Sequence, residues 1–189
     1  TGFARHPGSG RDVGKYHVSN NTDVKSGATP SVRSDRYGFR VNSKMKGNNW
    51  CQYDFATHCA IVLLYLVEFA DWDSQSKIGL GGGSDSIAST GDCDSITYHT
   101  GTSASDRASP GSVLYRNIEN LWANVYSFVD GVNFSDRAGY VCTNPANYDD
   151  DTSANYIDTG IMLPSSGYIS SLGYSSDVPW ALLPSDASG

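Results

Sequence analysis

The sequence predicts one α+β domain spanning residues 1–189, with a small twisted, mostly antiparallel sheet, one long buried helix and extensive loops. Three observations carry that expectation. Residues 49–70 are apolar with helical recurrence, and residues 115–131 alternate as a strand does. Charged side chains make up only 17% of a chain dense in Gly, Ser, Asn, Asp and Tyr, the composition of a loop-rich globular domain. Its 189 residues can bury a substantial core without a second domain.

Taken in order, residues 1–27 are polar and Gly-rich, with one strand-like piece at Asp12-Val13-Gly14-Lys15-Tyr16-His17-Val18 that suits a sheet edge. Residues 30–46 show no helical period and read as loop with a brief strand. They hold Arg33, Arg36, Arg40, Lys44 and Lys46, expected as a solvated face, with an anion site as the alternative. In the helix expected over 49–70, Asp54 serves as an N-cap or a first-turn acid. Phe55, Cys59, Val62, Leu66 and Ala70 recur at helical spacing, and Ile61, Leu63, Tyr65 and Phe69 extend the apolar surface nearly all round. Asp54 and His58 stand one turn apart, an ordinary helix-surface pairing. Lys77 precedes Gly81-Gly82-Gly83 instead of following it, which excludes a phosphate loop. Residues 84–110 read as a long surface loop.

In 115–131, Leu121, Ala123, Val125, Ser127 and Val129 alternate with Trp122, Asn124, Tyr126 and Phe128, which predicts a strand buried on both faces. Asp130-Gly131 is the expected hairpin turn, because Gly supplies positive φ without steric cost. Residues 132–134 and 138–142 form the return path. Ile161-Met162-Leu163-Pro164 ends a short strand, and Pro179 and Pro184 exclude a helix near the C-terminal end.

Several chemistries find no support. The net charge is −7 with scattered Lys and Arg, so no basic stripe is available for nucleic acid. The most apolar run, 59–67, is about half of what a membrane-spanning helix needs, so no membrane insertion is expected, and residues 1–6 lack a signal-peptide core. Cys51, Cys59, Cys93 and Cys142 have neither zinc-site nor dense disulfide spacing and read as small buried or half-buried thiols; Cys93 with Cys142 is the one pair considered for a disulfide. His6, His17, His58 and His99 have no metal-ligand spacing, and nucleophile-elbow and zincin motifs are absent from the sequence. Asp149, Asp151, Ser153 and Asp158 begin like a calcium loop, but Ala154 stands where the sharp turn wants Gly, and Gly160 where an acid belongs. A hydrated acidic loop is expected there, and no cofactor is called for.

Three segments together carry a resemblance. Val13-Gly14-Lys15-Tyr16 is like an opening strand. Tyr53-Asp54 through Ala70, followed by Ser74-Gln75-Ser76-Lys77-Ile78-Gly79, is like a long helix and its exit loop. Glu119, Asn120, Asn124, Asp130 and Gly131 match the pattern Arg-Gly-x-Glu-Asn-x-x-Gly-Asn-x-Trp-x-x-x-Asp-Gly, from which Asn117, Ala123 and Tyr126 depart. This combination resembles the C-type-lectin-like domain shared by formylglycine-generating (sulfatase-modifying) proteins and the variable proteins of diversity-generating retroelements, including receptor-binding tips of phage tails.

The resemblance implies a non-catalytic virion module that displays loops to a host-surface receptor, protein or glycan, beside other virion proteins and as a homo-oligomer such as a trimer. A bacterial cell surface is the alternative location. The alternative function is a structural fibre or decoration protein; a formylglycine-generating-type oxidase is less favoured, since its paired cysteines near the C-terminal end find no counterpart here. In diversified members the ligand-contacting segment follows a motif like Trp180-Ala181-Leu182-Leu183-Pro184-Ser185, so the parent protein is expected to continue past Gly189. The Tyr/Ser/Gly/Asn composition suits an adaptable recognition surface. Tyr148, Tyr156, Tyr168, Tyr174 and Trp180 are the expected ligand-contacting aromatics. Glu119, Asn120, Asn124, Asp130 and Gly131 are expected to be scaffold, because buried polar groups must be paired.

Overall fold

The computed structural model describes residues 3–5, 11–82 and 86–189. His6 and Gly83, the last of the glycine run, lie outside the described residues. The chain is mixed α and β, with small antiparallel sheets and little helix. It divides into two compact units interleaved in sequence: Thr1–Asp35, Met45–Gly47 and Glu68–Ser127 form the first, and Arg36–Lys44, Asn48–Val67 and Phe128–Gly189 the second.

In the first unit, β1 (Phe3–Arg5) pairs antiparallel with β2 (Asp12–Gly14), so the strand expected over 12–18 is real but shorter. A three-stranded sheet follows, of β3 (Gly101–Thr102), β4 (Val113–Tyr115) and β5 (Ile118–Glu119). Val113, Leu114 and Tyr115 are all buried. The long strand expected over 115–131 does not form. Tyr115 pairs with Ile118 across a two-residue turn at Arg116 and Asn117, with φ of 47° and 64°. Asn120, Ala123 and Asn124 also have positive φ, which an extended strand cannot contain. Asn tolerates this left-handed region, and that tolerance overrides the alternating pattern. The loop expected over 84–110 is not all surface, since Thr90 and Cys93 are buried.

The second unit opens with α1 (Arg36–Lys44), where loop was expected. Its buried residue is Arg40, so a hydrophobic period could not reveal it. The helix expected over 49–70 is α2 (Phe55–Phe69), whose last two residues belong to the first unit. Asp54 caps it, the Oδ1 atom accepting from the Thr57 N–H at 2.8 Å, and Ala70 ends it at φ 50°. Burial is narrower than predicted: Phe55, Thr57, Cys59, Ile61 and Tyr65 are inside, whereas Leu63 and Val67 are 38% and 85% exposed.

The second unit's sheet is β6 (Val132–Ser135), β7 (Ala138–Val141) and β8 (Ile157–Met162). The β6–β7 turn is Asp136-Arg137, with φ of 47° and 70°, so Asp130-Gly131 is not the hairpin turn. Instead, Asp130 bridges Asp54 in parallel, the Phe55 N–H donating to the Asp130 carbonyl at 2.8 Å and the Asp130 N–H to the Tyr53 carbonyl at 2.9 Å. A two-stranded ribbon, β9 (Tyr168–Ser175) with β10 (Val178–Ser188), completes the unit. Pro179 and Pro184 sit in β10 beside register shifts, where a missing donor does least harm. Phe55 and Cys59 of α2 pack with Val141, Ile161, Val178, Ala181 and Leu183 to form the core.

Candidate recognition surface and its buried support

Beneath the second unit's surface lies a cluster of four charges. Arg40 donates from Nε to Asp130 Oδ2 at 2.8 Å and from Nη2 to Asp130 Oδ1 at 2.6 Å, a two-bond fork on a side chain with no exposure. Arg40 also donates to Asp150. One helical turn earlier, Arg36 donates from Nε to Asp150 Oδ1 at 2.6 Å, from Nη1 to the Val132 carbonyl at 2.7 Å and from Nη2 to Asn133 Oδ1 at 2.7 Å. Two guanidiniums thus balance two carboxylates, the condition under which buried charge is tolerated. The Asp130 hydrogen bond raises the Arg40 pKa, and burial offsets only part of that. At Asp150 burial pushes upward, yet hydrogen bonds from Arg40 and Arg36 outweigh it and hold the carboxyl below its usual range. The expectation that Arg36 and Arg40 form a solvated face is therefore corrected: the anion they meet is internal.

The cluster fixes the acidic segment. Asn133 Nδ2 donates to the carbonyls of Asp149 at 2.9 Å and Thr152 at 3.2 Å. Asp149 Oδ1 accepts from the N–H groups of Asp151 at 2.8 Å and Thr152 at 3.1 Å, and Asp158 Oδ1 from Gly160 at 2.8 Å. Asp149 and Asp158 thus serve backbone turns. Among the described residues no group of three or more His, Cys, Asp or Glu side chains is placed to hold a metal ion.

The five aromatics have different surroundings. Tyr148 is buried, its hydroxyl donating to Asp54 Oδ2 at 2.8 Å, and it belongs to the core. Tyr156 is half-buried; its hydroxyl donates to the Asp149 carbonyl at 3.2 Å and accepts from the Asp149 N–H at 3.1 Å. Trp180 is half-buried, edge-on to Phe55 with ring centroids 6.3 Å apart. Only Tyr168 and Tyr174 stand out, at 83% and 69% exposure. They share β9 with Ile169 and Leu172, also exposed, which sequence reasoning missed. Residues 168–175 carry no charge and no proline, a run compatible with a strand but silent about exposure.

The five scaffold residues divide between the units. In the first unit, Glu119 is buried and accepts from the N–H groups of Gly91 at 2.9 Å and Cys93 at 3.1 Å. Burial raises its pKa, and those two donors only partly counter this. Asn120 Oδ1 accepts from the Val113 N–H at 3.1 Å, and Asn124 exchanges two hydrogen bonds with the Ala88 backbone. In the second unit, Asp130 holds Arg40. Gly131 has φ 74°, and a Cβ there would lie 2.6 Å from the Cys142 carbonyl oxygen and 3.1 Å from the Tyr148 ring.

Cys93 and Cys142 are not joined in a disulfide. Burial pushes Cys59 up to about 11 and Cys93 up to about 12, far from the thiolate a nucleophile or metal ligand requires. No helix among the described residues is long and apolar enough to cross a membrane. Compared with protein-family models, curated proteins and solved structures, the chain matches none of them.

Proposed function

We propose that the chain is a non-catalytic, C-type-lectin-like display module of a virion tail or tip that engages a host-surface receptor, protein or glycan. The observation that carries this reading is the exposure of Tyr168 and Tyr174, with Ile169 and Leu172, on a strand whose partner β10 supplies Val178, Ala181 and Leu183 to the core. Large amphipathic rings on a firmly anchored strand lose little conformational entropy on binding and offer both apolar area and a hydroxyl. The resemblance of Tyr53-Asp54, the α2 run and the Glu119-Asn120 segment to the phage-type domain supports the same reading. The protonated state expected of the Cys59 and Cys93 thiols supports a role in packing.

A second reading, a structural fibre or decoration protein, is supported by the lack of charge along β9, since an uncharged strand suits burial against another subunit. Labelled protein applied to a panel of intact bacterial cells, with and without protease or glycosidase treatment, tests the first reading. Saturable adsorption to particular strains is expected, and the sensitive treatment identifies the receptor class. Absence of saturable adsorption across hosts of phages carrying such tails would leave the structural reading in its place.

A further inference from the structure

We infer that the solvent face of α2 is the seam for a second copy of this chain, packed antiparallel about a two-fold axis between residues 60 and 63. A helix that is apolar on nearly all sides belongs in an interior. Yet α2 buries only part of its surface: Phe55 and Cys59 join the core, whereas Ala56, Ala60 and Leu64 are half-buried and Leu63 and Val67 are exposed. On a helix of 3.6 residues per turn these five side chains fall within one sector about 100° wide. None of them carries a charge. A contiguous apolar stripe left open to water marks an interaction surface.

The spacing within the stripe says what fits it. Residues 56, 60, 63 and 67 follow steps of four, three and four, the a/d spacing of a coiled-coil seam, with Ala56 and Leu63 at d and Ala60 and Val67 at a. In an antiparallel pair each a position meets a d position of the other helix. Ala60 then faces Leu63 of the second copy, and Ala56 faces Val67, one small side chain against one large in every layer. The two-fold axis makes each contact reciprocal. A parallel pair would set Ala on Ala in two layers and leave voids there. The e and g positions beside the seam, Thr57, Cys59, Leu64 and Leu66, are uncharged, so the charges that select a different partner helix are missing. The chain carries −7 overall, yet the one acid of α2, Glu68, lies off the seam and accepts from Tyr115 and Arg116. The seam covers about 18 Å of helix, at the small end of specific interfaces, so pairing is weak and concentration-dependent. It does not depend on receptor recognition: failure of one would show in sedimentation, failure of the other in adsorption.

Cysteine mixing on the full chain tests the register, in a Cys51→Ser background that removes the one native cysteine not buried. Antiparallel packing sets position 56 level with position 67 of the other copy, and each about 17 Å along the axis from its own symmetry mate. Under mild oxidation Ala56→Cys and Val67→Cys should therefore each stay single on a non-reducing gel, whereas a mixture of the two should give a covalent dimer. Sedimentation should show wild-type dimers that dissociate on dilution. Val67→Glu should raise the dissociation constant about tenfold or more and leave the helical circular-dichroism signal unchanged, since Val67 is 85% exposed in the single chain. Val67→Ala should also weaken pairing, and adding Ala56→Val to the same chain should restore it, because the two positions share a layer. Monomers at all concentrations, or covalent dimers of Ala56→Cys alone, the signature of parallel packing, would overturn the inference.

Discussion

Arg40 and Asp130, 90 positions apart in sequence, meet in a two-bond fork at 2.8 and 2.6 Å. Asp130 is wholly buried and Arg40 nearly so. Without Asp130, Arg40 keeps only Asp150, which it shares with Arg36, so one positive charge is left unbalanced and Asp130→Ala should cost about 3 kcal/mol. Replacing both, as Arg40→Met with Asp130→Leu, keeps the remaining Arg36–Asp150 pair balanced and should recover most of the loss. Arg40→Lys keeps the charge but loses the planar fork and should fall between. Urea unfolding of these variants provides the comparison.

Gly131 should be intolerant for a backbone reason. At φ 74°, with the Cys142 carbonyl oxygen 2.6 Å from the place a Cβ would take, Gly131→Ala adds conformational strain to a clash. A loss of about 2 kcal/mol is expected. The neighbouring sheet has a contrasting site: Gly160, at φ 68° with open space around it, should lose less than Gly131 on the same change. Thermal melts of the two alanine variants separate clash from strain.

These two sites also mark where the sequence was legible. Asp54 and the apolar run after it predicted α2 because an N-cap and hydrophobic recurrence are local signals. The scaffold expectation for Glu119, Asn120 and Asp130 rested on a strand buried on both faces, which does not form, although all three side chains are buried and hydrogen-bonded. By contrast, α1 was hidden because its buried face is made by Arg40, which every hydropathy scale counts as surface. Its partners Asp130 and Asp150 are too distant in sequence for any pattern to reveal. The alternation in 115–131 misled for the opposite reason: period two is a side-chain pattern, whereas Asn117, Asn120 and Asn124 set a left-handed backbone. Nothing in the sequence separated buried Tyr148 from exposed Tyr174, because both follow small or polar residues in loop-like surroundings.

Acid should weaken the fold through Asp94 and Asp150. At Asp94 burial pushes upward, but hydrogen bonds from Lys15, Ser26 and Tyr16 outweigh it and hold the carboxyl at about 2. A carboxyl depressed in the folded state contributes stability above its unfolded pKa of about 3.9, and loses it as pH falls through the folded value. The urea midpoint should therefore drop between about pH 4 and pH 2, and Asp94→Asn should flatten that drop. Glu119 has the opposite sign. Its raised pKa gives a contribution complete below about 4.3 and lost as pH rises through the folded value, so it cannot produce the acid-side drop.

Burial separates a packing tyrosine from the exposed pair. Tyr148→Phe removes the hydroxyl that Asp54 accepts and should cost about 1–2 kcal/mol while leaving cell adsorption unchanged.

Adsorption of the Tyr168→Ala, Tyr174→Ala double variant to a strain that binds wild type, with its melting temperature measured alongside, tests the display reading most directly. The account predicts that adsorption falls at least tenfold while stability stays within about 0.5 kcal/mol of wild type, because both rings are exposed. Undiminished adsorption by a folded double variant would contradict it.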